Sequence, residues 1–136
     1  MSETKCIKVR DRDGAAVDCT VEILSIRPAR LVFSGFCLDD REFLADDVFN
    51  ALVSLRRELE EIGALLLCAG ARPDVFPSGM SRDMGGGIKA YVNRIGMPAG
   101  KPDIVDIFDY AGPESVGSVD EQCVFHMKWI ESLRQR

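Results

Sequence analysis

The sequence predicts an α+β fold in which an antiparallel sheet of about five or six strands packs against a central helix over 46–62 and a C-terminal helix over 118–134. Apolar and polar residues alternate along the first third of the chain, and the apolar spacing then changes to that of a helix. A capping pattern later opens a second amphipathic stretch. Because 136 residues are the usual length of one domain, we expect a single domain over 1–136.

The first third is predicted to form three antiparallel strands. Charged and apolar residues alternate over 5–10 and again over 17–26, with the turn residues of 11–14 between them. Arg27 and Pro28 interrupt the pattern, and a short β-rich run over 31–33 follows. These features predict a hairpin with one polar face and a third strand beside it.

The central helix is predicted from apolar residues at helical spacing. Asp46 or Asp47 can cap its start and Gly63 suits its end, whereas Arg56 is assigned to the polar side. Residues 64–69 contain no polar side chain, which predicts a strand in the middle of the sheet, covered on both faces. The apolar face of the helix consists of Val48, Ala51, Leu52, Leu55, Leu59 and Ile62.

Residues 70–87 break every periodicity and are predicted to form a long functional loop. The three glycines of 85–87 suit a flexible entry to the strand predicted over 88–95. Residues 103–109 fit another strand, which we favour, or a short helix that begins at Pro102.

The C-terminal helix is predicted from a capping box, because Ser118 and Glu121 can each accept from the other's backbone N–H. Phe125 and Trp129 lie beside its apolar stripe and are expected to cover the sheet, with an interface patch as the alternative. The stripe itself consists of Val119, Cys123, Met127, Ile130 and Leu133.

Composition excludes several classes of protein. An apolar share of 46%, a charged share of 29% and the absence of any apolar run near ~18 residues predict a soluble globular protein. The net charge of −5 argues against binding to nucleic acid or to anionic membranes. Residues 1–5 lack the apolar stretch of a secretion signal, so a cytoplasmic location is expected.

The chain offers few side chains for metal or nucleophilic chemistry. Five scattered cysteines without a CxxC pair, together with a single histidine, predict no metal, no cofactor and no disulfide framework. Cys123 and His126 could touch on the C-terminal helix, but nothing in the pattern lowers the thiol pKa, so a cysteine hydrolase is not predicted. The carboxylates Asp103, Asp106 and Asp109 are expected to form a solvated surface rather than a metal site.

The charge distribution predicts an electrically lopsided molecule. Residues 39–61 carry three basic and eight acidic side chains, and 102–136 carry three and seven. Between them, 62–101 is mildly basic, with five basic and two acidic side chains. Because complementary charge selects partners, an acidic face of this kind suits a basic protein as the partner, with ordinary charge for solubility as the equal alternative.

Residues 55–63, 67–75, 78–80 and 87–91 resemble small single-domain bacterial proteins of uncharacterised function, some of which are similar to immunity proteins of polymorphic toxin systems. The likeness covers about a third to a half of the chain. It implies a small, acidic, non-catalytic α+β protein that blocks the active site of a toxin. The resemblance carries no toxin-contact residue across to this chain.

The leading hypothesis is a non-enzymatic, cytoplasmic protein-binding domain that neutralises a basic toxin domain. An acidic surface and residues of the 70–87 loop would make the contacts. The acidic candidates are Asp39, Asp40, Asp46 and Asp47, and the loop candidates are Arg72, Asp74, Ser78, Met80 and Arg82.

Two alternatives remain open. In the first, the chain is an enzyme whose 70–87 loop covers a small anion held by Arg72 and Arg82, with Asp74 or Asp83 as acid or base. The glycines of 85–87, with Lys89 nearby, match no phosphate-binding motif, so this reading rests on the loop alone. In the second, the chain is a homodimer that associates through Phe125 and Trp129.

Overall fold

The computed structural model describes residues 2–36 and 38–134 and confirms the α+β class. The helices are α1 (Val48–Glu61), α2 (Gly79–Gly85) and α3 (Val119–Arg134). The strands are β1 (Glu3–Arg10), β2 (Ala16–Ile26), β3 (Ala29–Ser34), β4 (Arg41–Ala45), β5 (Leu65–Leu66), β6 (Val75–Phe76), β7 (Lys89–Val92) and β8 (Ile104–Asp106).

The larger sheet has five antiparallel strands in the order β4-β3-β2-β1-β5. The predicted hairpin is confirmed, with β1 paired to β2 from Glu3 opposite Ile23 to Arg10 opposite Ala16. The third strand is also confirmed, whereas β4 was not predicted because its sequence was assigned to an acidic segment.

The prediction that 64–69 lies in the middle of the sheet is wrong, because β5 is a terminal strand. Its apolar residues are covered by α1 and by the chain that follows, not by two neighbouring strands. Backbone hydrogen bonds from Ala69 to Asp109 and from Gly70 to Ile107 hold that chain in place. The adjoining Cys68 is fully buried there, and burial raises the pKa of its thiol to about 11.

Helix α1 packs its apolar face on the large sheet, as predicted. Asp47 caps its start by accepting from the backbone N–H of Asn50 at 2.8 Å. Gly63 follows its end with φ at 80°, a left-handed conformation that glycine adopts without strain. The core between α1 and the sheet includes Val9, Val21, Leu31, Phe33, Leu52, Leu55 and Leu59.

The assignment of Arg56 to the polar side of α1 is wrong, since its side chain is only 2% exposed. Its guanidinium donates to Oε1 of Gln122 at 2.6 Å and to the carbonyl oxygens of Gly70 and Gly117 at 3.1 and 3.2 Å. Burial lowers the pKa of Arg56 below its ordinary value. Helix α1 therefore faces the sheet on one side and α3 on another.

A second sheet of three strands, in the order β6-β7-β8, forms apart from the first. The prediction of a loop over 70–87 is wrong, because this segment contains part of a 3-10 turn (Ala69–Ala71), β6 and all of α2. Residues 103–109 contain β8, as favoured, preceded by a 3-10 turn over Lys101–Asp103. Short elements of this length carry too few residues for a periodic pattern.

Helix α3 begins with the predicted capping box. Glu121 N–H donates to Ser118 Oγ at 3.0 Å, and Ser118 N–H donates to Glu121 Oε1 at 2.8 Å. The predicted stripe is wrong in its direction, because Cys123 and Met127 are exposed while Gln122 is buried. The helix is rotated so that the buried amide of Gln122, rather than the thiol beside it, meets Arg56.

The cysteines of the described residues differ in their exposure. Cys19 and Cys68 are buried, Cys6 and Cys123 are exposed, and Cys37 lies outside the described residues. None of the helices within 2–36 and 38–134 has the length and apolar content of a membrane span.

Candidate functional site

A pocket of about 310 Å³ lies where the second sheet, α2 and α3 meet. One wall comes from β6 and the chain leading into α2, another from β7 and Asn93, and the third from α3. Its side chains are of two kinds. The aromatic ones are Phe76, Tyr91, His126 and Trp129, and the polar ones are Ser78, Arg82 and Asn93.

The α3 wall is a stack of rings. The imidazole of His126 lies parallel to the ring of Phe76 with centroids 3.7 Å apart, and Trp129 follows at 5.8 Å from His126. Trp129 is fixed in turn, because its indole N–H donates to the carbonyl oxygen of Met97 at 2.8 Å. Ser132 accepts from Gly96 N–H at 2.8 Å, so α3 holds the turn after β7 at two points.

Arg82 brings a positive charge to the opposite side of the pocket. Its guanidinium carbon lies 5.1 Å from the ring centroid of Phe49 and 5.4 Å from that of Phe76. Nη2 donates to Oδ1 of Asn50 at 2.9 Å, and Nε lies 3.3 Å from Oδ2 of Asp47. Asp47 and Asn50, at the start of α1, therefore hold the guanidinium of Arg82 in place.

Three buried polar atoms in the described residues have no hydrogen-bond partner, and all three belong to side chains that line this pocket. They are Arg82 Nε, which is in ion-pair contact only, Asn93 Oδ1 and His126 Nδ1. Asn93 is 5% exposed. A buried polar group without a partner costs about 1–3 kcal/mol, so such atoms are rare and seldom adjacent.

The protonation of His126 follows from its surroundings. Burial, and secondarily the charge of Arg82, lower the pKa of the imidazole from its ordinary value of 6.5. The ring is therefore neutral at pH 7 and presents one nitrogen as an acceptor. The pocket lining therefore combines the Arg82 cation with a neutral imidazole and the amide of Asn93.

The Arg56–Gln122 contact positions the pocket walls. Gln122 Nε2 lies within 2.9 Å of the carbonyl oxygens of Gly70, Arg72 and Val75. These contacts fix the chain that leads into β6 relative to α3, and hence the ring of Phe76 relative to His126. Asn93 is held separately, since its backbone N–H donates to Asp74 O at 2.7 Å.

Of the loop residues predicted to bind a partner or ligand, the structure brings Ser78 and Arg82 into the pocket. Arg72 and Asp74 instead pair with each other through two hydrogen bonds of 2.9 and 2.8 Å. Met80 is exposed on the outer side of α2. The predicted pairing of Arg72 with Arg82 around one anion is wrong, because the Arg72 guanidinium is already occupied and does not line the pocket.

The acidic candidates lie at the two ends of β4. Asp40 and Asp46 flank β4 at opposite ends, which places them about 20 Å apart at ~3.3 Å per residue. Asp39, Asp40 and Asp46 are exposed, but Asp40 Oδ1 accepts from Ser34 Oγ at 2.8 Å. The prediction of Asp47 as a partner contact is wrong, since it is buried as the α1 cap.

The two residues predicted to form an interface, Phe125 and Trp129, lie in different parts of the surface. Trp129 lines the pocket, whereas Phe125 lies in a different groove of about 410 Å³ beside Pro73 and Lys128. Asp83 faces away from the pocket and pairs with Arg27 at 3.3 Å. Lys89 lies 3.5 Å from Asp106, so the glycine-rich segment has no cluster of free cations around it.

Sequence reasoning missed Phe76, Tyr91 and Asn93 and gave His126 no role in a site. The single histidine three residues before the single tryptophan was the one available signal. Asn93 offered none, because its burial depends on contacts with distant segments. Within the described residues, no group of three or more His, Cys, Asp or Glu side chains could hold a metal ion.

Comparison with known proteins returned no match, either to a protein-family model or to a curated protein.

Proposed function

We propose that the protein binds a small polar molecule in the pocket between β7, α2 and α3. The proposal is supported by one observation: the three side chains that carry a buried polar atom without a hydrogen-bond partner, among the described residues, all line one cavity. Polar groups that are left unsatisfied in this way are found where binding, rather than stability, selects the residue.

The dimensions and lining of the pocket agree with this function. A volume of about 310 Å³ is at the small end of the ~300–1,000 Å³ that is typical of ligand sites. Its wall of aromatic rings suits the apolar part of a ligand, and Arg82, Asn93 and His126 would orient the polar part. Trp129 is the only tryptophan of the chain, so its fluorescence reports on this pocket alone.

The Asn93→Leu variant tests ligand binding independently of folding stability. Because Asn93 Oδ1 has no protein partner, we expect this variant to equal or exceed the wild type in thermal stability and to lose ligand binding. The measurement is a thermal shift and Trp129 fluorescence screen with carboxylates, phosphates, amino acids and nucleotides.

Met80→Ala is the matched control, since Met80 is exposed on α2 outside the pocket. It should bind every ligand as the wild type does. A clear loss of stability in Asn93→Leu, or no response of the wild type to any compound, would overturn the proposal.

A second candidate is the protein-binding function predicted from the sequence, with a basic toxin domain as the partner. One observation favours it: Val124, Met127 and Ile130 form an exposed apolar stripe on the outer side of α3. The resemblance to immunity proteins and the exposed Asp39 and Asp40 point in the same direction.

The test is a pull-down of the tagged protein at low and high salt. A specific partner should be retained at low salt, weakened at high salt and lost in an Asp39→Lys, Asp40→Lys double variant. Met127→Glu should weaken the same complex if α3 contributes. Light scattering distinguishes a homodimer, which would be the only associated species in the purified protein.

A further inference from the structure

We propose that the outer face of α3 is a dimerisation surface, on which α3 of a second copy of this chain lies antiparallel about a two-fold axis at Met127. Met127 lies two residues before Trp129, and so about 160° around the helix from the ring that lines the ligand pocket. The surface faces away from the pocket, and its role does not depend on ligand binding.

Five exposed positions of α3 form one seam along the helix. They are separated by three, four, three and four residues, which is the spacing at which one stripe of a helix faces a neighbouring helix. Gln122 and Trp129 belong to the inner side, where they contact α1 and the turn after β7. The seam consists of Asp120, Cys123, Met127, Ile130 and Arg134.

The middle of the seam is apolar. Met127 is 71% exposed, and Ile130 and the adjoining Val124 are 37% and 51% exposed. Burial of these side chains against an equivalent surface removes them from water, which favours association. A methionine on the axis suits contact with its own copy, because its unbranched side chain adapts to the space that it meets.

The two ends of the seam carry opposite charges. Asp120 lies in the first turn of α3 and Arg134 in the last, and each is seven residues from Met127. In an antiparallel pair centred on Met127, each Asp120 lies at the level of Arg134 of the second copy. A parallel pair would instead place like charges at the same level. Charge complementarity therefore selects a second copy as the occupant and the antiparallel arrangement as its orientation.

The charged side chains at the ends of the seam remain available to a second copy. They are 87% and 73% exposed in Asp120 and Arg134. Asp120 Oδ1 lies 3.7 Å from Arg57 Nη1, and Arg134 Nη1 lies 3.8 Å from Glu131 Oε2. Exposed ion pairs of this length contribute little to stability, so contacts between the copies can replace them.

A seam of this length predicts a weak dimer. The helix from Asp120 to Arg134 is about 22 Å long at ~1.5 Å per residue. A single pair of such helices buries less than the ~1,200–2,000 Å² of a standard interface. We therefore expect a dissociation constant on the order of 10–100 μM.

The first test measures the mass of the purified protein by light scattering and sedimentation. The mass should rise from monomer to dimer between about 1 μM and about 1 mM, a range that brackets the expected constant. Met127→Glu should raise the dissociation constant at least about tenfold, because it places two carboxylates at the axis. Met80→Glu is the matched control, since Met80 on α2 is also 71% exposed, and it should leave the dimer unchanged.

Charge reversal tests the register while the apolar residues stay in place. Asp120→Arg brings two arginines together at each end of the pair, and Arg134→Asp brings two carboxylates together, so each variant alone should be monomeric where the wild type is dimeric. An equimolar mixture of the two variants should recover the dimer, because opposite charges then meet at both ends. Any effect of a substitution on α3 itself persists in the mixture, so recovery reports contact between the copies.

Three results would overturn the proposal. They are a protein that stays monomeric up to about 1 mM, a dimer that Met127→Glu leaves intact, and a mixture of the two charge variants that stays monomeric. Capture of a basic protein by a monomeric chain through Met127 would also overturn it and assign this face to the second candidate function. Each of these results leaves the ligand pocket as proposed.

Discussion

Arg56 departs from the pattern of its own helix for a reason that lies outside the helix. The apolar period of α1 assigns this position to solvent, yet the guanidinium is buried against α3 and the chain before β6. It donates to Gln122 Oε1 and to the backbone carbonyl oxygens of Gly70 and Gly117. A buried cation is stable here because several acceptors replace its water.

Arg56→Met is expected to lower the free energy of unfolding by about 3 kcal/mol. The substitution removes the donor from Gln122 Oε1 and from the carbonyl oxygen of Gly117, and each such loss costs about 1–3 kcal/mol, while Gly70 O keeps its bond from Gln122 Nε2. Urea denaturation measures the change. Arg57→Met is the control, because the adjacent Arg57 is exposed and should change stability by less than about 1 kcal/mol. Equal effects of the two variants would contradict the assigned role.

Helix α2 is an element held by polar contacts. It buries none of its own residues, and Arg27 donates to its carbonyl oxygens at Arg82 and Asp83. Just after its end, the carbonyl oxygen of Gly86 accepts from Val48 N–H at 2.8 Å and thereby satisfies the start of α1. The short connection between α2 and β7 therefore ends α2 and also provides a hydrogen-bond acceptor for the start of α1.

Gly86→Ala and Gly85→Ala form a matched pair that tests this connection. Gly86 has φ at 70°, and a Cβ there would collide with Ile26, so its substitution should cost about 2 kcal/mol or more. A Cβ on Gly85 meets nothing, and alanine there should leave stability within about 0.5 kcal/mol or raise it. Thermal unfolding of both variants gives the comparison. A Gly86 variant as stable as the Gly85 variant would show that the connection can adopt another backbone.

At the scale of the whole molecule, α3 joins the two sheets. Its first turns contact α1 through Gln122, and its last turns hold the chain after β7 through Trp129 and Ser132. The pocket forms between these attachments and draws its side chains from three separate stretches of the chain: β6 with α2, the region of β7, and α3. Its polar atoms are desolvated only when the whole chain is folded.

This desolvation links global stability to pH through His126. Its pKa is lowered from 6.5 by burial and then by Arg82, so the folded protein takes up this proton less readily than the unfolded chain. Well above pH 6.5 the ring is neutral in both states. As pH falls below 6.5, the unfolded chain is protonated first, and the free energy of unfolding should decrease.

His126→Gln isolates the contribution of this ring. Relative to the variant, the wild type should lose stability between pH 7 and pH 5, because all carboxylates are common to both proteins and their effects cancel. Denaturant unfolding at several pH values gives the difference. A wild-type-to-variant difference that stays constant over this range would contradict the desolvated state of His126.

The sequence by itself determined the fold class and the elements whose stability is local. Alternation in β1 and β2, the apolar face and Asp47 cap of α1, and the capping box of α3 all depend on residues within a few positions of one another. Such interactions operate whenever the local backbone forms, so they are visible as spacing.

Only the tertiary structure decided the second sheet, the terminal place of β5, the burial of Arg56 and the composition of the pocket. β6 pairs just two residues with β7, and Asn93 is buried through segments far away in the chain. A short strand or a single polar side chain has no period of its own. Its place depends on long-range packing and on which distant group satisfies its hydrogen bonds, and neither is encoded in neighbouring residues.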